Sequence, residues 1–195
     1  MNRSDVREFH YIASLQNVPS IMERWILSYL RAQPLHPVSF ALDTAQFRRA
    51  RKLVAMGRTV HFYANVYFDA HNPTLSRCRD LNGQLAVLRV SPEILYIPAT
   101  FIATNNAAAS GVDFIRASRG LAKLDYERVY AEFWLHGDLE TQAEWSRAKC
   151  AEVLVPDRIP PEYITGAYVC SVEAAARLAL LAPGLPATVH RRLFF

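Results

Sequence analysis

The sequence predicts an α+β fold in a single domain, residues 1–195, with mixed and antiparallel strands flanked by helices and no repeating strand–helix–strand unit. Three stretches carry that expectation. Residues 60 to 68 alternate for nine positions, with Val60, Phe62, Ala64, Val66 and Phe68 on one face and His61, Tyr63, Asn65 and Tyr67 on the other, which is the period of a strand. Val18, Ile21, Met22, Trp25, Ile26, Tyr29 and Leu30 recur at three- and four-residue steps, the pattern of a helix with one buried face. Val153, Leu154 and Val155 form a compact apolar run closed by Pro156, a proline-bounded strand of the kind found in α+β folds.

Taken in order, Phe9 to Leu15 reads as a first strand with His10 and Tyr11 at its start, and Asn17 as the cap of the helix that runs to Leu30. Pro34 and Pro37 begin an extended loop. Asp43 opens a second helix that continues to Met56, where Gly57 stops it. The alternating strand follows, then turns at Asn72-Pro73 and Asp80 to Gly83, a buried strand from Leu85 to Val90, and a strand from Ile94 to Ala103 broken near Pro98. Beyond the polar loop Thr104 to Ala107, helices are expected over Val112 to Leu121, Asp125 to Leu135 and Leu139 to Ala148, with an exposed turn at His136-Gly137-Asp138. The chain closes with a strand (Tyr163 to Cys170), a helix (Val172 to Leu181) and a strand (Thr188 to Phe195).

Composition narrows the function. A chain of 195 residues that is 51% hydrophobic and 21% charged buries enough surface to stand without metals or disulfides. Cys78, Cys150 and Cys170 are odd in number and outside any Cys-x-x-Cys spacing, so reduced thiols and a cytoplasmic location are expected. The charged amino end lacks a signal-peptide core, and no apolar run is long enough to span a membrane. The net charge of +4 mildly favours an anionic partner.

No Gly-x-x-x-x-Gly-Lys-Ser/Thr loop, Gly-x-Gly-x-x-Gly turn or Gly-x-Ser-x-Gly elbow is present, and the six histidines show no metal-binding spacing. With seven glycines, a phosphate site must use arginines or a helix amino end. Three features remain. Gln46, Arg48, Arg49, Arg51 and Lys52 share a helix that can hold a pyrophosphate or simply be solvated. His10 and Tyr11 can bind a ring or an amide, or be structural. Glu152 opens the strand at 153–155, on the face opposite Ala151, Val153 and Val155, where it lines a cleft or pairs with Lys149 as an edge-strand charge.

Six segments together carry a resemblance: Phe-His-Tyr-Ile and Asn-Val-Pro-Ser-Ile within 9 to 21, Gln-Phe-Arg-Arg at 46, Val-His-Phe-Tyr-Ala-Asn-Val-Tyr-Phe at 60, Asn-Pro-Thr-Leu at 72, Thr-Asn-Asn-Ala at 104 and Lys-Cys-Ala-Glu-Val-Leu-Val-Pro at 149. In order and spacing the sequence resembles the DarT family, toxins of toxin–antitoxin pairs that transfer ADP-ribose from NAD onto bases of DNA. The resemblance implies an ADP-ribosyltransferase fold with split sheets, NAD as co-substrate and no metal. It implies Glu152 and Arg49 as catalytic residues, and His10, Tyr11, Ile12, Ser20, Ser28, Arg48 and Arg49 at the dinucleotide. Family members usually carry glycine where Trp25 stands and often a basic residue where His71 stands.

The chemistry implied is cleavage of the nicotinamide riboside bond, with Glu152 holding the ribose and stabilising the oxocarbenium, and Arg49 fixing the pyrophosphate. A guanidinium with a pKa above about 12 suits positioning better than the proton-accepting role proposed within the family. Single-stranded DNA is the expected acceptor, because a paired base hides its edge. Tyr63, Tyr67 and Trp145 are candidates for base stacking, and Arg77, Asn106, Arg147 and Lys149 for contacts to the strand. A hydrolase antitoxin, macrodomain-type or related, is the implied partner. Transfer to RNA or protein by the same fold, or non-catalytic nucleic-acid binding, are the alternatives.

Overall fold

The backbone is organised by one sheet that nearly divides in two. In the computed structural model, which describes residues 1–135 and 137–195, the strands are β1 (Phe9–Ser14), β2 (Ile26–Leu27), β3 (Leu53–Ala55), β4 (Arg58–Thr59), β5 (Tyr63–Tyr67), β6 (Leu85–Val90), β7 (Phe101–Ala103), β8 (Phe114–Arg116), β9 (Glu152–Pro156), β10 (Arg158–Ile159), β11 (Ile164–Val169) and β12 (Ala187–Val189). The helices are α1 (Val18–Arg24), α2 (Tyr29–Ala32), α3 (Asp43–Arg49), α4 (Pro73–Arg77), α5 (Ala117–Gly120), α6 (Tyr126–Val129), α7 (Leu139–Ala148) and α8 (Val172–Leu181), joined by short 3-10 turns. Eight strands lie in the order β12-β11-β6-β1-β5-β9-β7-β8, antiparallel except for β11 against β12. β1 and β5 meet at a single pair, His10 opposite Tyr67. Each half is otherwise continuous, so the sheet is split there, as expected for this α+β fold.

Strand alternation separates two sides. On one, Phe9, Ala13, Ala64, Val66, Leu88, Val90, Val153, Val155, Ala167 and Val169 join Val18 and Ile21 of α1 and Ala174 and Leu178 of α8 in the main core. On the other side the packing is in two smaller clusters. Leu75, Leu85, Val87 and Phe194 lie under the β1 half, and Val60, Tyr63, Phe101, Ala107 and Leu154 under the β9 half. The row across the split carries the polar groups.

Several elements match the sequence reading. α7 and α8 have the expected limits, each with a capping side chain: Asp138 accepts from the backbone of Glu140 and Thr141, and Ser171 from Ala174. His136, part of the expected turn before α7, lies outside the described residues. Asn72 does more than mark a turn, because its side chain accepts from the Thr74 and Leu75 amides and starts α4 with Pro73 in the first turn.

Other expectations are corrected. The helix drawn to Leu30 stops at Arg24, because Trp25 turns to φ 82° and the next two residues form β2 against β10. Asn17 does not cap it with its side chain, which instead bonds the Val38 backbone. The helix drawn to Met56 ends at Arg49, and a hairpin follows whose two-residue loop, Met56-Gly57, has both φ positive at 48° and 72°. Residues 60–62 form a 3-10 turn, so the alternating strand starts at Tyr63. Residues 114–116 are strand β8, only short helices occur over 117–120 and 126–129, and the last strand covers 187–189. At β2 and β12 a strand pairing with a distant segment overrides the local pattern, while after α3 a tight hairpin does so.

Candidate active site

Glu152 opens β9, which is not an edge strand but lies between β5 and β7. Alternation turns Ala151, Val153 and Val155 into the main core and leaves Glu152 on the side of Leu154. Its side chain is fully buried. The carboxylate is held by two donors on one oxygen: Arg49 Nη2 at 2.5 Å and the Ala107 backbone N–H at 2.9 Å both reach Oε1. Oε2 is buried and has no hydrogen-bond partner among the described residues.

Arg49 is the last residue of α3 and its one buried residue. Burial works against its charge, and Glu152 outweighs that cost, so its pKa stands above the ordinary arginine value. The contact with Glu152 thus favours the charged form of the guanidinium. Lys149 is not the partner of Glu152. Its ammonium is fully buried, 2.5 Å from Asp69 Oδ2 and 5.8 Å from the centre of the Trp134 ring.

The strand register sets the neighbours. Arg89, His10, Tyr67, Glu152 and Ala103 are successive cross-strand partners on β6, β1, β5, β9 and β7, so they share one face of the sheet. Tyr11 points to the opposite face and packs against the main core, and burial pushes its phenol pKa up. Of the two ring candidates, His10 is thus the one on the face of Glu152. Its Nδ1 accepts from the Ala70 amide at 3.2 Å, which leaves the proton on Nε2, 3.2 Å from Glu8 Oε1. Glu8 also accepts from Arg89 Nε at 2.7 Å and Tyr168 Oη at 2.8 Å. Burial opposes the Glu8 charge, but these donors prevail and hold its pKa down at about 2. Glu8 and Tyr168 had no signal in the sequence, since the contacts that define them span 81 and 160 positions.

Around Arg49, His61 Nε2 lies 2.9 Å from Gln46 Oε1 and its ring stacks on Tyr29 with centroids 4.0 Å apart. Lys52 reaches the Ala109 carbonyl, tying the end of α3 to the loop that covers Glu152.

The remaining expected residues disperse. Ile12 packs into the cluster under the β1 half, Ser20 is exposed on α1, Ser28 is buried where its amide donates to the Asp157 carbonyl, and Arg48 is exposed. Tyr63 is corrected: it is 2% exposed and packed in the cluster with Leu154, so it offers no stacking face. Tyr67 is buried beside Glu152, and burial first and the carboxylate second drive its phenol pKa up, so it too is part of the site wall and not a surface platform. Lys149, committed to Asp69, is unavailable to phosphate. Arg77 and Arg147 are exposed, Trp145 is half-buried on α7, and Asn106 accepts from the Ala108 amide within its own loop.

Two cavities are found away from this site, about 340 Å³ between the amino end and α5 and about 540 Å³ between α1 and the turn after α8. Among the described residues no group of three or more His, Cys, Asp or Glu side chains can hold a metal ion, and no helix is long and apolar enough to cross a membrane. The three cysteines are free thiols.

The geometry joins an early arginine to a late glutamate on a split sheet, and residues 10–192 match the family described as ssDNA thymidine ADP-ribosyltransferase, DarT. The chain belongs to the DarT family. It is 32% identical over 178 residues to a DNA ADP-ribosyl transferase-DNA ADP-ribosyl glycohydrolase fusion protein of Thermosipho africanus (strain H17ap60334), a match covering 88% of this chain and 45% of that protein. The chain thus spans about half the length of this DarT relative. Thermosipho africanus DarTG in complex with ADP-ribose superposes with a TM-score of 0.86 at 29% identity, over 97% of this chain and 51% of that one. Thermus sp. 2.9 DarT in complex with ADP-ribosylated ssDNA superposes with a TM-score of 0.84 at 19% identity, over 98% and 97% of the two chains, a likeness of DarT fold.

Proposed function

We propose that this chain transfers ADP-ribose from NAD to a base of single-stranded DNA, as the toxin of a toxin–antitoxin pair, with Glu152 and Arg49 as its catalytic residues. The observation that carries this reading is the buried, unpartnered Oε2 of Glu152. A carboxylate oxygen left without a donor in a closed site costs free energy until a ligand supplies one, and a ribose hydroxyl is such a donor. The fit of NAD to these residues rests on that oxygen and on the cation beside it.

Glu152 accepts the ribose hydroxyl and its negative charge stabilises the positive charge that builds on the ribose carbon as the bond to nicotinamide breaks. The bonding pair leaves with neutral nicotinamide, a base nitrogen attacks the same carbon, and the base proton passes to solvent. Arg49 gives one of its five N–H donors to Glu152, and the rest of its fork is suited to the pyrophosphate. Because Glu152 is fully covered, the 104–113 loop that bonds it through Ala107 withdraws to admit the substrate. His10, on the same face, lines the dinucleotide site with its ring, both nitrogens being engaged within the protein. Exposed Arg77 and Arg147 meet the strand's phosphates. The partner is a hydrolase that removes the mark, a reading supported by the fused glycohydrolase named in the Thermosipho relative, and free thiols suit a cytoplasmic setting.

The test is incubation with NAD and single-stranded oligonucleotides of single-base composition, read by mass spectrometry. A gain of one ADP-ribose on DNA, cut by roughly 10²–10³-fold in Glu152→Gln, is expected. Label on RNA or protein with bare DNA would move the acceptor, and no consumption of NAD would remove the enzymatic reading.

A further inference from the structure

α3 carries Arg49, yet it has little apolar hold on the molecule. Of its seven residues only Arg49 is buried, Phe47 is 58% exposed, and none belongs to a hydrophobic cluster. So short a helix is marginal by itself, and the position of its last turn depends on side-chain contacts. His61 supplies one. An amide oxygen only accepts, so the 2.9 Å contact to Gln46 Oε1 is a donation from His61 Nε2, and Gln46 lies one helical turn before Arg49. On another side the imidazole is stacked on the Tyr29 ring of α2 at 4.0 Å and 25°.

We propose that His61 is a positioning residue for Arg49: its neutral imidazole, held between Gln46 and Tyr29, fixes the last turn of α3 so that the guanidinium meets Glu152, and protonation of the ring on Nδ1, which leaves the bond to Gln46 in place, loosens that turn by repelling Arg49. The proposal rests on the reading of Arg49 and Glu152 as the catalytic pair. The groups facing the ring are Arg49 and Gln46 from α3 and Tyr29 from α2. On its own side of the chain, the Arg58 guanidinium is engaged over the Phe62 ring at 3.8 Å. No carboxylate bonds His61 among the described residues. A proton added to the ring therefore sets a second cation against Arg49, whose own charge is already committed to Glu152, with no carboxylate bonded to the ring to offset it. Burial, and then the Arg49 charge, hold the His61 pKa below 6.5, so the ring is neutral at neutral pH.

The experiment measures nicotinamide release from NAD, with a single-stranded oligonucleotide present, across the acid range for the wild type, His61→Phe, Gln46→Leu and the double variant. His61→Phe keeps a ring against Tyr29 and removes the proton and the bond. Each single variant is expected to lower kcat roughly tenfold to a hundredfold, with KM for NAD changing less. The double variant should be no worse than either single one, because both remove the same bond. The wild-type acid limb below pH 6.5 should flatten in His61→Phe. Multiplying effects, or an unchanged acid limb in His61→Phe, would overturn the proposal. Absence of nicotinamide release from the wild type would overturn the catalytic reading and this proposal with it. Nitrogen NMR of the wild-type imidazole gives a readout independent of how the variants fold: a neutral ring protonated on Nε2 is expected, and the Nδ1-protonated form would overturn the latch.

Discussion

Arg49 crosses 103 positions of sequence to place its Nη2 2.5 Å from Glu152 Oε1, inside a site where the carboxylate has no exposed surface. Removing the negative charge while keeping the shape isolates what it does. Glu152→Gln should cut ADP-ribose transfer by roughly 10²–10³-fold through the lost stabilisation of developing charge. It should also destabilise the fold by about 3 kcal/mol, since Arg49 would be left as an unneutralised buried cation. Transfer assays and urea unfolding of the same preparation report the two effects separately.

Lys149 and Arg147 make opposite predictions although they are two residues apart. Lys149→Met breaks a buried pair with Asp69 and should cost about 3–5 kcal/mol of stability while leaving the salt dependence of oligonucleotide binding unchanged. Arg147→Ala should leave stability within about 0.5 kcal/mol and reduce the slope of log K against log salt by about 1. Denaturant titrations and binding isotherms at several salt concentrations check both.

Glu8 should govern the acid stability of the β1 half. Its carboxyl has a pKa of about 2 in the folded chain against an ordinary 4.5, so the unfolded chain takes up the proton first as pH falls. The stabilisation is complete above pH 4.5 and drains away as pH drops toward 2. Discounted for partial exposure, it is on the order of 2 kcal/mol. Unfolding midpoints measured down the acid range should lose this component in Glu8→Gln.

Against β7, Gly120 of α5 lies where an added Cβ would fall 2.9 Å from Ile102 Cβ. Gly120→Ala should therefore cost about 1–3 kcal/mol by overpacking. Because Ile102→Val removes Cδ1, at 3.0 Å, but keeps Cβ, at 2.9 Å, it should recover only part of the loss in the same chain, as thermal melts of the three variants would show.

Where sequence and structure agree, local signals were sufficient. α7 and α8 carry their own capping side chains, α8 also its apolar spacing, and β9 alternates as the pattern required. Where they part, the deciding partner was remote. Trp25 fits the spacing of a continuous helix, but β10 arrives from residue 158 to pair with β2, and the guanidinium of Arg158 lies 3.8 Å from the Trp25 ring centre. A clue lay in the family resemblance, which implies glycine at this position, and the φ of 82° is one that glycine adopts without strain. The pairing of Arg49 with Glu152 was legible only as a family resemblance, since neither residue type nor spacing ties them. Lys149, three residues before Glu152, suggested the wrong partner, because it closes α7 instead of extending β9 and its ammonium meets Asp69. The Glu8 cluster joins residues near positions 8, 89 and 168, and nothing local announces it.

The apolar partition of β9 has a consequence for how the gene can vary. Adding or deleting one residue between Ala151 and Val155 would exchange the two faces, sending the carboxylate into a hydrocarbon interior and two valines out. Length changes should accordingly be barred from this short segment while single-residue swaps among its aliphatics are accepted, so the greasy side of the strand acts as the reading frame that keeps the acid in place.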